Sequence, residues 1–362
     1  MDRRKFLSTL NAIGLSGLLP GNGLADQDPT INAFEVPIFQ TRSSEIDGVP
    51  EFPKIGLIAI GGVSRSILGD LHDQLPRLYR TIAINTDANG LQETKADRKL
   101  RVGCIDAGNC DPQTAGLLSR AHSKEIDSVI AGLHVAIVVA GMGGAAGTGI
   151  APEVARALKL NGTLTLGVAI LPFQFEGEDR HRIASAGIQS LSEHVDALIP
   201  IRNSDFERFN GADDSFESVF HQAPYAALQL CNCVVDSLDQ RDGLNYLVAA
   251  DPRDLHHGVL VQRGHGAFGF GTASRDSGPG VAVQRAIAHP CLGIDRLSQA
   301  RAVMVTINAA RDDLRIPEAG RIMNQIRREL SPDADLFCSA LSRDIAGGRH
   351  FTASILATGI EV

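Results

Sequence analysis

Hydrophobic and polar positions alternate in blocks along this chain rather than residue by residue. Short apolar runs fall at 55–60, 81–84, 135–140, 164–170 and 197–201, separated by stretches with helical character. That alternation predicts a parallel sheet covered by helices, with ligand loops at the carboxyl ends of the strands. Residues 215–238 predict one long helix, with Gly211-Ala212-Asp213-Asp214 as its lead-in. From about Arg263 the pattern changes. Residues 302–307, 336–340 and 351–356 read as strands, and 317–326 as a helix with proline in its first turn. The expected fold is α/β, a parallel-sheet domain over 54–238 followed by a smaller α+β domain over 239–362. Residues 26–53 read as a polar, proline-containing connector.

The densest chemistry lies at 141–149, Gly-Met-Gly-Gly-Ala-Ala-Gly-Thr-Gly, directly after the apolar run 135–140 and before the helix-like 150–158. Five glycines in nine residues permit positive φ and close approach of the backbone to a ligand. A strand feeding such a turn and then a helix start aims main-chain N–H groups and a helix dipole at phosphate oxygens. The bland alternative is a glycine-rich turn between strand and helix.

Composition narrows the partners. With 362 residues, 44% hydrophobic and 21% charged, the chain is a globular protein long enough for two domains. A net charge of −8 argues against nucleic acid as a partner, and the absence of tryptophan leaves no obvious stacking platform for single strands. Six cysteines show no Cys-x-x-Cys pair or His/Cys cluster, so no metal site is expected. Cys231 and Cys233, two apart on the long helix, are expected to face different ways.

The 141–149 stretch resembles the tubulin/FtsZ signature loop, Gly-Met-Gly-Gly-Gly-Thr-Gly-Thr-Gly in bacterial FtsZ. Ala83-Ile84-Asn85-Thr86-Asp87-Ala88, Pro172-Phe173-Gln174-Phe175-Glu176-Gly177 with Arg180, and Leu191-Ser192-Glu193-His194-Val195-Asp196-Ala197-Leu198-Ile199 resemble further motifs of that family. They occur in order, within a resemblance spanning roughly 54–362. The resemblance implies GTP or GDP held by several loops, with Mg2+ as a compatible companion ion. It also implies a long helix joining two domains and head-to-tail self-association into filaments. A cell-division or cytoskeletal role would follow. The family normally continues into a flexible linker and a partner-binding peptide. With the sequence ending at Val362, recruitment to membrane anchors by such a tail is not expected.

Carried over residue by residue, the resemblance makes Gly61 and Gly62 the first glycine loop, with Val63, Ser64, Arg65 and Ser66 replacing the family's remaining glycines and asparagine. Arg65 is a candidate to supply positive charge to a phosphate there. Asn85 and Asp87 fall among the implied nucleotide contacts. In the signature loop Gly143, Gly144, Gly147, Thr148 and Gly149 remain, while Ala145 replaces a glycine and Ala146 a threonine. The lost hydroxyl removes a hydrogen bond of about 1.5–3 kcal/mol to a charged acceptor. Glu176 corresponds to a ribose-binding glutamate, Arg180 to a phosphate-facing arginine, Asn203 to an asparagine near sugar and base, and Phe220 to a phenylalanine that stacks on guanine. Pro224 and Tyr225 stand where the family reads the base with Asp or Asn, which leaves guanine-over-adenine selectivity open.

The implied hydrolytic loop lies in 243–254. One register keeps Asp251 and Asp254 at the family's Asp-x-x-Asp spacing; the other, gap-free, keeps only Asp251 and replaces two polar positions with Tyr246 and Val248. Both aspartates would orient water on the γ-phosphate bound by the next subunit. The competing reading is that they open a helix as N-cap and first-turn acids. Whether GTP is hydrolysed stays open. A catalytically weak relative acting as a scaffold is the alternative function.

Met1-Asp2-Arg3-Arg4-Lys5-Phe6-Leu7-Ser8, a short apolar stretch and Gly23-Leu24-Ala25 resemble a twin-arginine export signal over 1–25, too short to span a membrane. Export would place the protein in the periplasm, whereas the FtsZ resemblance implies the cytoplasm. A dinucleotide oxidoreductase is disfavoured, because Gly61-Gly62-Val63-Ser64-Arg65-Ser66 lacks Gly-x-Gly-x-x-Gly. No Gly-x-x-x-x-Gly-Lys-Ser/Thr is present either.

Overall fold

A computed structural model describes residues 53–75, 79–103, 110–209, 216–238, 245–248, 264–310, 313–342 and 350–361. All of them fall within one compact unit, Ile46–Val362. The export-like segment, the 26–52 part of the connector, and Asp251 and Asp254 lie outside the described residues.

Strands β1 (Ile55–Ile60), β2 (Tyr79–Asn85), β3 (Arg98–Arg101), β4 (Val135–Gly141), β5 (Leu164–Leu171) and β6 (Ala197–Arg202) are parallel, in the order β3-β2-β1-β4-β5-β6. Between them run α1 (Val63–Arg65), α2 (Ala88–Gln92), α3 (Pro112–Ala121), α4 (Ser123–Ile130), α5 (Ala145–Leu160) and α6 (Glu178–Ser192). Then come α7 (Asn203–Phe209) and the long α8 (Phe216–Leu238). Alternate residues of β1 serve opposite faces of the sheet: Leu57 and Ala59 join the core that contains α8, Ile58 and Ile60 the core that contains α5. Cover on both faces is why β1, β4 and β5 read as unbroken apolar runs.

The sheet continues through β8 (His265–Ser274), β11 (His350–Ile360), β9 (Ala302–Ala309), β10 (Asp335–Ser342) and the edge strand β7 (Asn245–Val248), giving eleven strands among the described residues. One residue pair, Leu198 with His265, joins β6 to β8. Helices α9 (Pro279–Ile287), α10 (Gly293–Ser298) and α11 (Ile316–Glu329) supply residues to a separate apolar core on this half. Helix α8 is enclosed on two sides. The Tyr79 hydroxyl of β2 donates to the Cys231 carbonyl, while Cys233 Sγ lies 3.5 Å from the Thr306 hydroxyl of β9. Both cysteines are therefore buried, though they serve different neighbours.

Three strands had no signal in the sequence pattern. β3 is Arg-Lys-Leu-Arg, a short edge strand whose charges face solvent. β7 falls inside the stretch read as a hydrolytic loop and pairs with β10. β8 carries Gly269 and Gly271, where a Cβ would stand 2.1 Å from the Ala286 carbonyl oxygen and 2.3 Å from that of Ala282. Helix α9 lies flush on β8, so close contact replaced the apolar alternation that would have marked a strand.

Candidate functional site

Strand order reverses at β1 and β4, since β2 lies on one side of β1 and β5 on the far side of β4. A crevice opens at the carboxyl ends of such strands. There the two glycine loops meet. Gly61 has φ +79° and donates its amide to the Ile84 carbonyl at 2.9 Å, and a Cβ on it would lie 3.1 Å from the Gly147 nitrogen. Ser64 Oγ donates to the Gly61 carbonyl at 2.7 Å and is fully buried, so it locks this turn from within.

The signature loop is built on close contacts. Gly143, at φ +95°, donates its amide to Thr148 Oγ1 at 2.9 Å. A Cβ on Gly143 would lie 2.7 Å from Arg180 Cγ; on Gly147, 2.0 Å from the Gly141 carbonyl oxygen; on Gly149, 2.1 Å from the Pro112 carbonyl oxygen of α3. Three of these glycines are thus demanded by packing alone. Gly144 differs: it is the N-cap of α5, no side chain caps it, and nothing lies within 4 Å of where its Cβ would be. The first-turn amides of α5 therefore have no side-chain acceptor, which is the arrangement that takes an anion. Ala145 is half-buried and Ala146 is buried, the Ala146 methyl 3.5 Å from the Cβ position of Gly61. Thr148 turns its hydroxyl inward to serve Gly143.

Flanking side chains are largely held by one another. Arg65 Nε pairs with Glu93 at 2.9 Å, which directs its charge to the end of α2. Ser66 opens a turn whose carbonyl accepts the Leu71 amide at 3.0 Å. Asp87 caps α2, accepting the Asn89 amide at 3.0 Å and the Gly90 amide at 3.1 Å, with buried Asn85 beside it. Glu176 accepts the Phe173 amide through Oε1 at 2.8 Å and pairs with Arg180 through Oε2 at 2.7 Å. The Arg180 stem in turn covers Gly143.

On the neighbouring rim, Phe173 is buried and lies between the Phe175 ring, 5.1 Å away, and the Phe220 ring of α8, 5.0 Å away. Those outer rings are 61% and 46% exposed. Asn203 heads α7 and is buried, and its Oδ1 has no hydrogen-bond partner. Tyr225 packs edge-on against Phe270 of β8 at 5.5 Å, away from Phe220, and Pro224 is buried within α8. Among the described residues no group of three or more His, Cys, Asp or Glu side chains stands ready for a metal.

Residues 70–211 match the Tubulin/FtsZ family, GTPase domain, and residues 264–361 match the FtsZ family, C-terminal domain. Cell division protein FtsZ 2 of Rhizobium meliloti (strain 1021) is 31% identical over 315 residues, 85% of this chain and 88% of that protein. This chain belongs to the FtsZ family. Cell division protein FtsZ 1 of the same organism is 33% identical over 313 residues, which cover 85% of this chain and 52% of that protein, so this chain spans about half its length. An empty FtsZ dimer structure from M. jannaschii superposes with a TM-score of 0.75 at 25% identity, over 84% of this chain and 88% of that one. CetZ2 from Haloferax volcanii, a GTPγS-bound protofilament, superposes at 0.67 with 19% identity over 85% of this chain and 93% of its own, a likeness of fold.

Against the FtsZ pattern, three contacts were invisible in the sequence. Ser64 reads as a lost glycine yet ties the first loop; Glu93 captures Arg65; and Glu153 joins Arg120 of α3 at 2.7 Å and Arg156 at 3.0 Å, clamping α5 to α3. The signal for the clamp was the Glu153/Arg156 pair three residues apart on a mostly apolar helix; Arg120 lay outside that spacing.

Proposed function

We propose that this chain binds GTP or GDP at the carboxyl rim of β1, β4 and β5, associates head to tail, and hydrolyses GTP across the contact between subunits. The observation that carries this reading is the uncapped start of α5 at Gly144, placed at the point where strand order reverses. Gly144, Ala145 and Ala146 would offer main-chain amides to the phosphates, with Gly61 and Gly62 closing the other side. Arg180 stands beside that loop, and its pair with Glu176 would open when a phosphate competes for it. Asn203 Oδ1, buried without a partner, fits a donor on the sugar or base. Any Mg2+ would be held chiefly by phosphate oxygens and water.

Hydrolysis between subunits is supported by the position of β7. Val248, three residues before Asp251, pairs with Ala340 at the sheet edge, seven strands from β4. At about 4.8 Å per strand that separation is on the order of 30 Å, beyond the roughly 10 Å that three residues span. A hydrolytic role for Asp251 would accordingly call for a phosphate bound by another copy. The relatives are named as cell division proteins, and a division or cytoskeletal role is the corresponding proposal here. The reading places the working protein where guanine nucleotide is replenished; a reporter fused behind residues 1–25 tests export against retention. Among the described residues no helix is long and apolar enough to cross a membrane.

The decisive experiment is nucleotide release from the purified full chain, followed by light scattering with and without GTP. Bound guanine nucleotide, scattering raised by GTP, and phosphate release that falls in Asp251→Ala are expected. Protein that takes up neither GTP nor GDP refutes the proposal.

A further inference from the structure

The two halves of the sheet meet with little backbone pairing between them. β5 pairs with β6, and β8 with β11, along most of their lengths. Among the described residues β6 and β8 share only the pair Leu198 and His265. The angle between the halves is therefore set by side chains. Part of this is apolar packing around α8, in a core that takes Val168 and Ile199 from one half and Met304 and Leu356 from the other. Such packing is strong but non-directional.

The directional part lies on α7. Asp205 Oδ2 meets Arg296 Nη2 of α10 at 3.3 Å, and the two side chains are only 16% and 33% exposed. Arg296 is also fixed from its own half, since Nη1 donates to the Pro290 carbonyl at 3.1 Å. The next residue of α7, Phe206, is buried and meets the His289 ring edge-on at 5.9 Å. Buried Cys291 feels the same charges: burial first and Asp205 next push its thiol pKa up, against Arg296 and Arg202. A short helix of the first half thus grips α10 and the segment before it through one charge-assisted pair and one ring contact.

The joint governs a long arm. From β8 through β11, β9 and β10 to β7 is four strand steps, about 19 Å at roughly 4.8 Å each. A tilt of about 5° at the joint moves β7 by nearly 2 Å, and misplacement by about 1 Å costs a reaction on the order of 100-fold. β7 ends at Val248, three residues before Asp251. The carboxyl rim of β1, β4 and β5 lies on the other side of the joint and keeps its own geometry.

We infer that Asp205 and Arg296 are positioning residues for hydrolysis across the subunit contact, their pair holding the angle between the nucleotide rim of one half and the β7 edge of the other. This rests on the head-to-tail reading above and deepens it. The pair acts through the angle it sets rather than on the nucleotide.

The test compares Asp205→Arg, Arg296→Asp and the double swap in the full chain, each checked for folding by circular dichroism. Calorimetry gives GDP affinity, and phosphate release is followed at saturating GTP. Each single reversal should leave the GDP dissociation constant within about twofold and slow phosphate release by about tenfold or more. The swap, which restores opposite charges, should bring release back to within about threefold of the parent protein. A merely structural role would lower binding and release together through the folded fraction, and that result overturns the inference. So does unchanged release in the folded single reversals, or a swap no better than either of them. Asp205→Asn keeps the size and removes the charge, so it serves where a reversal does not fold. It should slow release by about threefold at unchanged GDP affinity, and unchanged release overturns the inference. A parent protein that binds no guanine nucleotide, or releases no phosphate, sinks the reading above and the inference with it.

Discussion

Gly147 faces the carbonyl of Gly141 so closely that a Cβ on it would stand 2.0 Å from the oxygen. The contact is backbone to backbone, so no side chain can swing away to relieve it. Gly147→Ala should therefore force α5 away from β4 and destabilise the fold by about 3 kcal/mol or more, in the range of overpacked core substitutions. Urea unfolding followed by circular dichroism measures this. An unchanged midpoint would show that the loop yields more readily than the geometry implies.

Thr148 separates a structural hydroxyl from a ligand-binding one. Its Oγ1 accepts the buried Gly143 amide at 2.9 Å. Thr148→Val keeps the shape and strands that N–H, so a loss of about 1–3 kcal/mol in stability is expected in the absence of nucleotide. Thr148→Ser should retain most of it. Thermal unfolding of the two variants without ligand gives the comparison.

His289 supplies a pH dependence. Its ring lies 4.5 Å from Phe270 and 5.9 Å from Phe206, and its Nδ1 accepts the Cys291 amide at 3.2 Å. Burial pushes its pKa down to about 4, against which a hydrogen bond with the Phe268 backbone acts only weakly. As pH falls below about 6.5 the unfolded chain takes up the proton first, so the neutral form stabilises the fold fully above that value. That stability is lost between pH 6.5 and about 4, and amounts to about 3 kcal/mol. His289→Gln should flatten this part of the stability curve, read as urea midpoints across that window.

Glu153 acts with the same sign at lower pH. Burial alone would raise its pKa, but hydrogen bonds from Arg120 and Arg156 outweigh burial and hold the carboxyl below the usual glutamate range. Its stabilising charge is present above about pH 4.3 and is lost as pH falls through the lowered value. Because both arginines are substantially solvent-exposed, at 62% and 41%, Glu153→Gln should cost about 1–3 kcal/mol rather than the full cost of breaking a buried pair. The measurement is denaturant unfolding at pH 7 and again at pH 3.5, where the difference from the parent protein should shrink.

How much of this was legible beforehand depended on whether the cause was local. Strands β1, β2, β4, β5 and β6 lay open in the apolar runs, and α5 in the glycine loop before it, because burial on both faces and a strand-to-helix turn leave marks on consecutive residues. Helix α8 was legible to within a residue at its start. β3 and β8 were not, since an exposed edge and a helix packed flush on glycines erase the alternation that marks a strand.

The site divides in the same way. Composition and spacing alone determined an α/β chain with a glycine-rich strand-to-helix turn at 141–149, because such a turn requires its glycines in order along the chain. Only the tertiary structure decided which of them serve packing and which is left open at the start of α5. Gly143, Gly147 and Gly149 are pressed by Arg180, Gly141 and Pro112, the last two sites from elements before α5 and the first from α6 after it, while Gly144 is left open. Likewise, the charge of Arg65 goes to Glu93 and that of Arg180 to Glu176. Charges pair by proximity in space, and proximity between separate elements is settled when the helices dock on the sheet.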